Sequence, residues 1–191
     1  MTRRFLVRRT IARAALRATG WKTAGTLPAK GILVGAPHTS NWDWVATILM
    51  SWSNGVQPMI LIKKEFFTGP FGPLLRATGG IPLDRESPGA TIRALLENAE
   101  THRSFLLVIA AEGTRGKTDY WKSGFYKISQ QTGLPITLAS IDGPTKTIGA
   151  GPTIVPTGDV GADMDRIRAY YADKHGINPE GRTEPRLREE G

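Results

Sequence analysis

The chain has 191 residues, 40% of them hydrophobic and 22% charged, with three histidines and no cysteine. A chain this long buries on the order of 70% of its unfolded surface and folds without disulfides or a structural metal, and the cysteine count excludes thiol nucleophiles, thiolate metal sites and disulfide scaffolds. The formal charge of +8 is uneven: residues 1–42 carry eight bases and no acid, while the other 149 residues carry 17 of each.

A nucleic-acid reader spreads Lys and Arg over a recognition face within its fold, so nucleic acid is not the expected partner. A cationic leader on a neutral body fits an anionic phospholipid surface; a solvated N-terminus is the alternative. Thr2–Thr19 (TRRFLVRRTIARAALRAT) reads as a helix, rich in Ala, Leu and Arg and free of Gly and Pro until Gly20. Phe5, Ile11, Ala12, Ala15 and Leu16 fall on one side, and Arg9, Arg13 and Arg17 form a row at i, i+4, i+8. Charges interrupt every apolar run too soon for a secretory signal, and Val45–Met50 and Phe105–Ala111 are far too short to span a bilayer. The expected location is the cytoplasm, peripheral on the inner face of the cell membrane.

Short apolar strands then alternate with amphipathic helices, the pattern of an α/β domain with a largely parallel central sheet flanked by helices. Strands are predicted at Gly31–Ala36, Pro58–Ile62, Ile81–Leu83, Phe105–Ala110 and Pro135–Ile141, with a hairpin at Asp142-Gly143 leading to Lys146–Gly149 and Thr153–Val155. Helices are predicted at Trp42–Trp52, Phe71–Ala77, Ser87–His102, Gly124–Thr132 and Ala162–His175; the third has Ser87 as N-cap and Pro88 at N1. The chain thus divides into a basic N-terminal helix (1–22) as membrane-surface leader, an α/β domain (23–177) and a flexible C-terminal tail (178–191).

In open α/β sheets the chemistry gathers at the carboxyl ends of strands. Three such segments are polar here: Pro37-His38-Thr39-Ser40-Asn41-Trp42-Asp43, Asp84-Arg85, and Glu112-Gly113-Thr114-Arg115-Gly116-Lys117. His38 follows a strand directly, and Asp43 lies in the first turn of the next helix, where Ser40 or Asn41 is placed to cap. A carboxylate one turn away accepts the Nδ1 proton of such a His and leaves Nε2 free as a base; the plain alternative is capping and loop hydrogen bonding. There is no enzyme nucleophile to match, neither a Cys nor a Gly-x-Ser-x-Gly elbow, so the substrate would supply a hydroxyl. His102 and His175 read as structural, near helix ends. The aromatics Trp42, Trp44, Trp52, Phe66, Phe67 and Phe71 read as core, as groove lining or as an interfacial face, and Lys117, Lys122 and Lys127, with Tyr120, Trp121 and Tyr126 between them, as a surface for a phosphate-rich partner or as solvated loop.

His38-Thr39-Ser40-Asn41-Trp42-Asp43 resembles the His-x4-Asp block of the glycerolipid acyltransferase family, which includes lysophosphatidate acyltransferases. Gly79-Gly80-Ile81-Pro82-Leu83-Asp84-Arg85 is similar to its second block, Glu112-Gly113-Thr114-Arg115 to its third and Leu134-Pro135-Ile136 to its fourth, in the right order over residues 30–140. The resemblance implies transfer of a fatty acyl group from acyl-CoA or acyl-carrier protein, as co-substrate, to a hydroxyl of a lysolipid, with no cofactor and no metal. It implies His38 as general base and Asp43 as its orienter. Arg85 and Arg115 would grip an anionic headgroup, Glu112 and Thr114 fix the loop and the acceptor, and Gly113 or a helix start offer amides to the oxyanion. Two other readings stand beside it: an acyltransferase for a non-phospholipid alcohol, and a non-catalytic lipid- or nucleic-acid-binding module.

Overall fold

In the computed structural model, which describes residues 3–84, 86, 89, 92–93, 95–97 and 104–190, the apolar runs form one sheet of seven strands. These are β1 (Lys22–Ala24), β2 (Lys30–Ala36), β3 (Pro58–Lys63), β4 (Gly80–Leu83), β5 (Phe105–Ala110), β6 (Ile136–Asp142) and β7 (Thr147–Ile154), in the order β1-β7-β6-β2-β5-β3-β4. Every neighbouring pair is parallel except β6 and β7. From β2 the chain moves out to β3 and β4, returns to β5 beside β2, and crosses to β6 on the other side. That reversal puts the ends of β2 and β5 at the switch point where α/β sheets open a crevice.

Both faces of the sheet are covered, as the near-continuous apolar strands require. On β2, Ile32, Val34 and Ala36 join one core with Phe125, Ile128, Met164, Ile167 and Tyr171; these come from α4 (Gly124–Thr132) and α5 (Val160–Tyr171). Leu33 points the other way and packs with Leu16, Ile48 and Met50, from α1 (Arg3–Ala18) and α2 (Trp42–Ser53). The period-two alternation of β2 therefore decides which residues meet which helix layer. A 3₁₀ turn at Lys64–Phe67 and the short α3 (Gly72–Ala77) join β3 to β4.

The leader is a helix, but its inner side is already occupied. Ala12 is fully buried and Leu16 is 5% exposed, and Arg8 stacks over Trp52 at 4.7 Å while its guanidinium donates to Gln57 Oε1 and Ala77 O. Ile11, assigned by sequence to the same side as Ala12 and Leu16, faces outward with Leu6 and Val7, each more than half exposed.

Elsewhere the elements deviate locally. One strand, β7, replaces the two short pieces expected after the hairpin, with a register shift opposite Thr137 and Ala139 taking up the irregularity. The three-residue β1 was not foreseen. Helix α5 ends at Tyr171 rather than His175, because Asp142 Oδ1 takes the His175 N–H and Gly143 donates to Gly176 O, drawing the chain to the end of β6. Within the predicted Ser87–His102 helix, Ile92, Leu95 and Leu96 are helical and pack on the first core; Arg85, Ser87, Pro88 and His102 lie outside the described residues. The C-terminal residues 178–190 are not a loose tail: Thr183 and Leu187 are 2% and 1% exposed, and a short 3₁₀ turn forms at Pro179–Gly181.

Candidate active site

Strand β2 ends where Pro37 removes a ladder donor, and the next residue, His38, emerges at the centre of the sheet edge. Its Nδ1 lies 2.9 Å from Asp43 Oδ2. A carboxylate only accepts, so this contact fits the His38 tautomer with its proton on Nδ1 and its lone pair on Nε2. The same Oδ2 accepts the backbone N–H groups of Thr39 at 2.8 Å and Ser40 at 2.9 Å, and the carboxylate sits in the first turn of α2, where the helix dipole favours it. Asp43 is 5% exposed. Asp43 thus makes the loop hydrogen bonds of the plain reading and, with the same oxygen, contacts the His38 ring. The flanking candidates divide differently: Asn41 occupies the N-cap position without a side-chain bond, and Ser40 Oγ accepts the Trp42 N–H.

Glu112 comes from the neighbouring strand. Gly35 of β2 pairs with Ala110 of β5, so the residues just past both strand ends are brought together. Glu112 is 1% exposed and its Oε2 accepts the His38 N–H. Burial pushes its carboxyl up from 4.5 to about 7, with the His38 amide and the amide of Thr183 pulling the other way and the charge of Asp43 adding to the rise. Glu112 thus fixes the backbone of His38 from behind.

The rest of the third block turns toward the surface. Gly113 adopts φ 69° and its N–H donates to Ala110 O at 3.1 Å, so that amide is spent on the turn rather than aimed at an oxyanion. Thr114 is exposed, its hydroxyl accepting the Gly116 N–H at 3.4 Å. Arg115 is exposed and, among the described residues, in no salt bridge. Arg85 lies outside the described residues; its neighbour Asp84 pairs with Lys64 at 2.7 Å. The fourth block sits at the opposite end of the sheet, where Pro135 O accepts the Ile32 N–H and presses on Gly31.

Two residues in this site carried no sequence signal, because they sit in the segment read as a tail. Asn178 donates to Thr39 from its backbone N–H and its side chain, and Thr183 directs its amide at Glu112. Of the basic-aromatic stretch, Trp121 and Tyr126 are buried at 3% exposure and belong to the core, while Lys117, Lys122 and Lys127 stay exposed and Lys127 pairs with Glu189. Trp42 is 68% exposed, whereas Trp44 and Trp52 pack on the second core. Among the described residues, no group of three or more His, Asp or Glu has the spacing to hold a metal ion.

The family profile described as Acyltransferase matches residues 21–142. The chain belongs to the acyltransferase family. The match encloses β2, the His38-Asp43 pair, Glu112 and Arg115. Within the family, the 1-acyl-sn-glycerol-3-phosphate acyltransferase of Streptococcus pneumoniae (strain ATCC BAA-255 / R6) is 30% identical over 111 residues, 57% of this chain and 40% of that one. The chain therefore spans well under two thirds of that curated relative. The crystal structure of the 1-acyl-sn-glycerophosphate (LPA) acyltransferase PlsC from Thermotoga maritima shares the fold, with a TM-score of 0.62 at 18% identity over 91% of this chain and 78% of that one.

Proposed function

We propose that this acyltransferase-family protein moves a fatty acyl group from an acyl thioester, acyl-CoA or acyl-carrier protein, to a hydroxyl of a lysophospholipid such as 1-acyl-glycerol-3-phosphate. The observation that carries the reading is the His38-Asp43 pair at the switch point, with Nε2 as its free basic nitrogen. The base takes the proton of the acceptor hydroxyl as its oxygen attacks the thioester carbonyl. Collapse of the tetrahedral intermediate breaks the C–S bond, and the imidazolium returns the proton to the departing thiolate. General-base catalysis of this kind contributes about 10²- to 10⁴-fold, and Asp43 holds the ring and stabilises its charged form. Exposed Arg115, with Arg85, supplies guanidinium for the acceptor phosphate through paired hydrogen bonds.

The reaction surface belongs at an anionic bilayer, on the cytoplasmic face. Among the described residues no helix is long and apolar enough to cross a membrane. The outward face of α1 instead carries Leu6, Val7 and Ile11 beside exposed Arg13 and Arg17, the apolar-plus-cationic mixture that lies flat on anionic lipid. Exposed Trp42, Phe66 and Phe71 follow or precede elements at the strand-end edge of the site and extend the same character toward the acceptor.

Thiol release from a panel of acyl-CoA and acyl-carrier-protein thioesters, each offered 1-acyl-glycerol-3-phosphate, other lysolipids and simple alcohols, tests the reading. Release should require a lysolipid bearing a phosphate and should yield the diacyl product. Equal release with an alcohol lacking phosphate would overturn the acceptor, and no release with any pair would overturn the reaction.

A further inference from the structure

The segment after α5 crosses the carboxyl ends of three adjacent strands in their order in the sheet. At the end of β6, His175 offers its N–H and Nδ1 to Asp142 Oδ1, 2.9 and 3.1 Å away, and Gly143 donates to Gly176 O at 2.8 Å. At the end of β2, the Asn178 N–H donates to Thr39 Oγ1 at 3.0 Å and Asn178 Nδ2 to Thr39 O at 2.8 Å. Past β5, Thr183 Oγ1 accepts the Thr118 N–H at 3.1 Å, the Thr183 amide faces the Glu112 carboxylate, and Arg186 O accepts the Trp121 N–H at 2.7 Å. Leu187, 1% exposed, anchors the far end in the first core.

The crossing is tight at one point. Gly176 has φ 77°, and a Cβ there would stand 2.7 Å from Thr39 Oγ1; only glycine lets the segment lie this close to the His38 loop in that conformation. His38 is consequently held on both sides of its own backbone. Glu112 accepts its N–H from within, and Asn178 donates to the carbonyl and hydroxyl of the next residue, Thr39, from outside.

We propose that residues 172–190 form a strap that orients the catalytic loop, with Asn178 and Thr183 as positioning residues for His38. Asn178 acts by fixing Thr39, and Thr183 by joining the Glu112 loop to the strap. The geometry is what a base needs, since displacements of about 1 Å at a reacting group cost on the order of 10²-fold in rate. The inference rests on the reading of His38 as general base.

The test compares Asn178→Ala, Thr183→Val and Thr183→Ser in the full chain, with His38→Ala alongside. Three readouts are taken: thiol-release kinetics with the thioester and lysolipid that the wild type uses, the thermal midpoint, and the downfield proton resonance of His38 Nδ1–H in its bond to Asp43. Asn178→Ala and Thr183→Val should lose about tenfold or more in kcat with KM for both substrates within about twofold, and should weaken or broaden the Nδ1–H resonance while still folding cooperatively. Thr183→Ser, which keeps the acceptor oxygen, should restore both. Wild-type kcat and an unchanged Nδ1–H resonance in Asn178→Ala and Thr183→Val would overturn the strap, as would a kcat loss that only tracks the folded fraction. Retained turnover in His38→Ala would instead overturn the base reading, and the Nδ1–H resonance would still decide whether the strap orients the ring.

Discussion

His38, Asp43 and Glu112 divide the labour of the site by environment. His38 keeps about a quarter of its side chain exposed, enough to meet a substrate, while both carboxylates are nearly sealed. Burial raises the Glu112 carboxyl. Because its carboxyl titrates near 7 when folded and near 4.5 when unfolded, the folded state holds the extra proton across that interval, and stability falls as pH rises through it. Glu112→Gln keeps an acceptor for the His38 N–H without an ionisable group. Its thermal midpoint should therefore change less between pH 5 and pH 7 than that of the wild type; an equal pH dependence in both proteins would remove Glu112 as the cause. Asp142 behaves in the opposite sense. Burial pushes its carboxyl up, but bonds from the Thr145 hydroxyl, the His175 amide and imidazole and the Thr145 amide outweigh that and hold it below its usual value. The stability it confers is present above the ordinary carboxylate range and is lost as pH falls below it. Asp142→Asn should blunt the acid end of the stability profile, measured by thermal melts from pH 5 downward. The His-Asp pair was legible in the sequence as spacing, and the Glu-Gly-Thr-Arg run through its resemblance to a family block. That the Gly113 amide is consumed by its own turn was not, because a motif records residue types and not which donors a turn has already used.

Among the elements, a continuous apolar run and a helix with a marked stop announced themselves best. Phe105–Ala110 and Gly124–Thr132 match their observed bounds, since one is a continuous apolar run and the other is stopped by Gly133 in a left-handed conformation at φ 69°. Two elements changed meaning. Helix α1 has two faces with apolar residues, and periodicity alone did not say that Ala12 is buried and Leu16 packs with α2 while Leu6, Val7 and Ile11 are left outside. Removing the helix would therefore strip a core contact along with the proposed lipid face, so the proposed membrane role is better tested by substitution on the outer face. Leu6→Ser/Val7→Ser/Ile11→Ser and Arg13→Glu/Arg17→Glu should each reduce cosedimentation with anionic vesicles severalfold, with the wild-type binding itself weakening as salt rises. Their thermal midpoints should stay close to wild type. Unchanged vesicle binding in both would return α1 to a structural role. The C-terminal segment changed more: its charged, Pro- and Gly-containing composition is that of a mobile end, yet it is held by backbone and side-chain bonds to loops more than 60 residues away in sequence. Such contacts leave no local pattern, so composition misread it.

At the scale of the molecule, the basic excess and the catalytic edge are two separate features joined by topology. The bases without matching acids lie in the first 42 residues, most of them on α1, which packs on the same side of the sheet as α2. Helix α2 in turn begins at the His38 loop. Under the proposed function, a helix layer that met lipid through α1 would bring the start of α2, with exposed Trp42, to the bilayer interface. The strand order does the rest: the reversal at β2 and β5 sets Glu112 behind His38, and the neighbouring β6 gives the strap its first anchor. Fold class and site were readable because both depend on short-range patterns, while the fit of strap, leader and loops depends on long-range packing. The central claim is that the Nε2 of His38 is the base for acyl transfer. Its most direct test is single-turnover thiol release by folded His38→Ala with saturating thioester and 1-acyl-glycerol-3-phosphate. A loss of about 10²-fold or more at unchanged thermal stability and substrate binding is the predicted result, and turnover near the wild-type rate would contradict it.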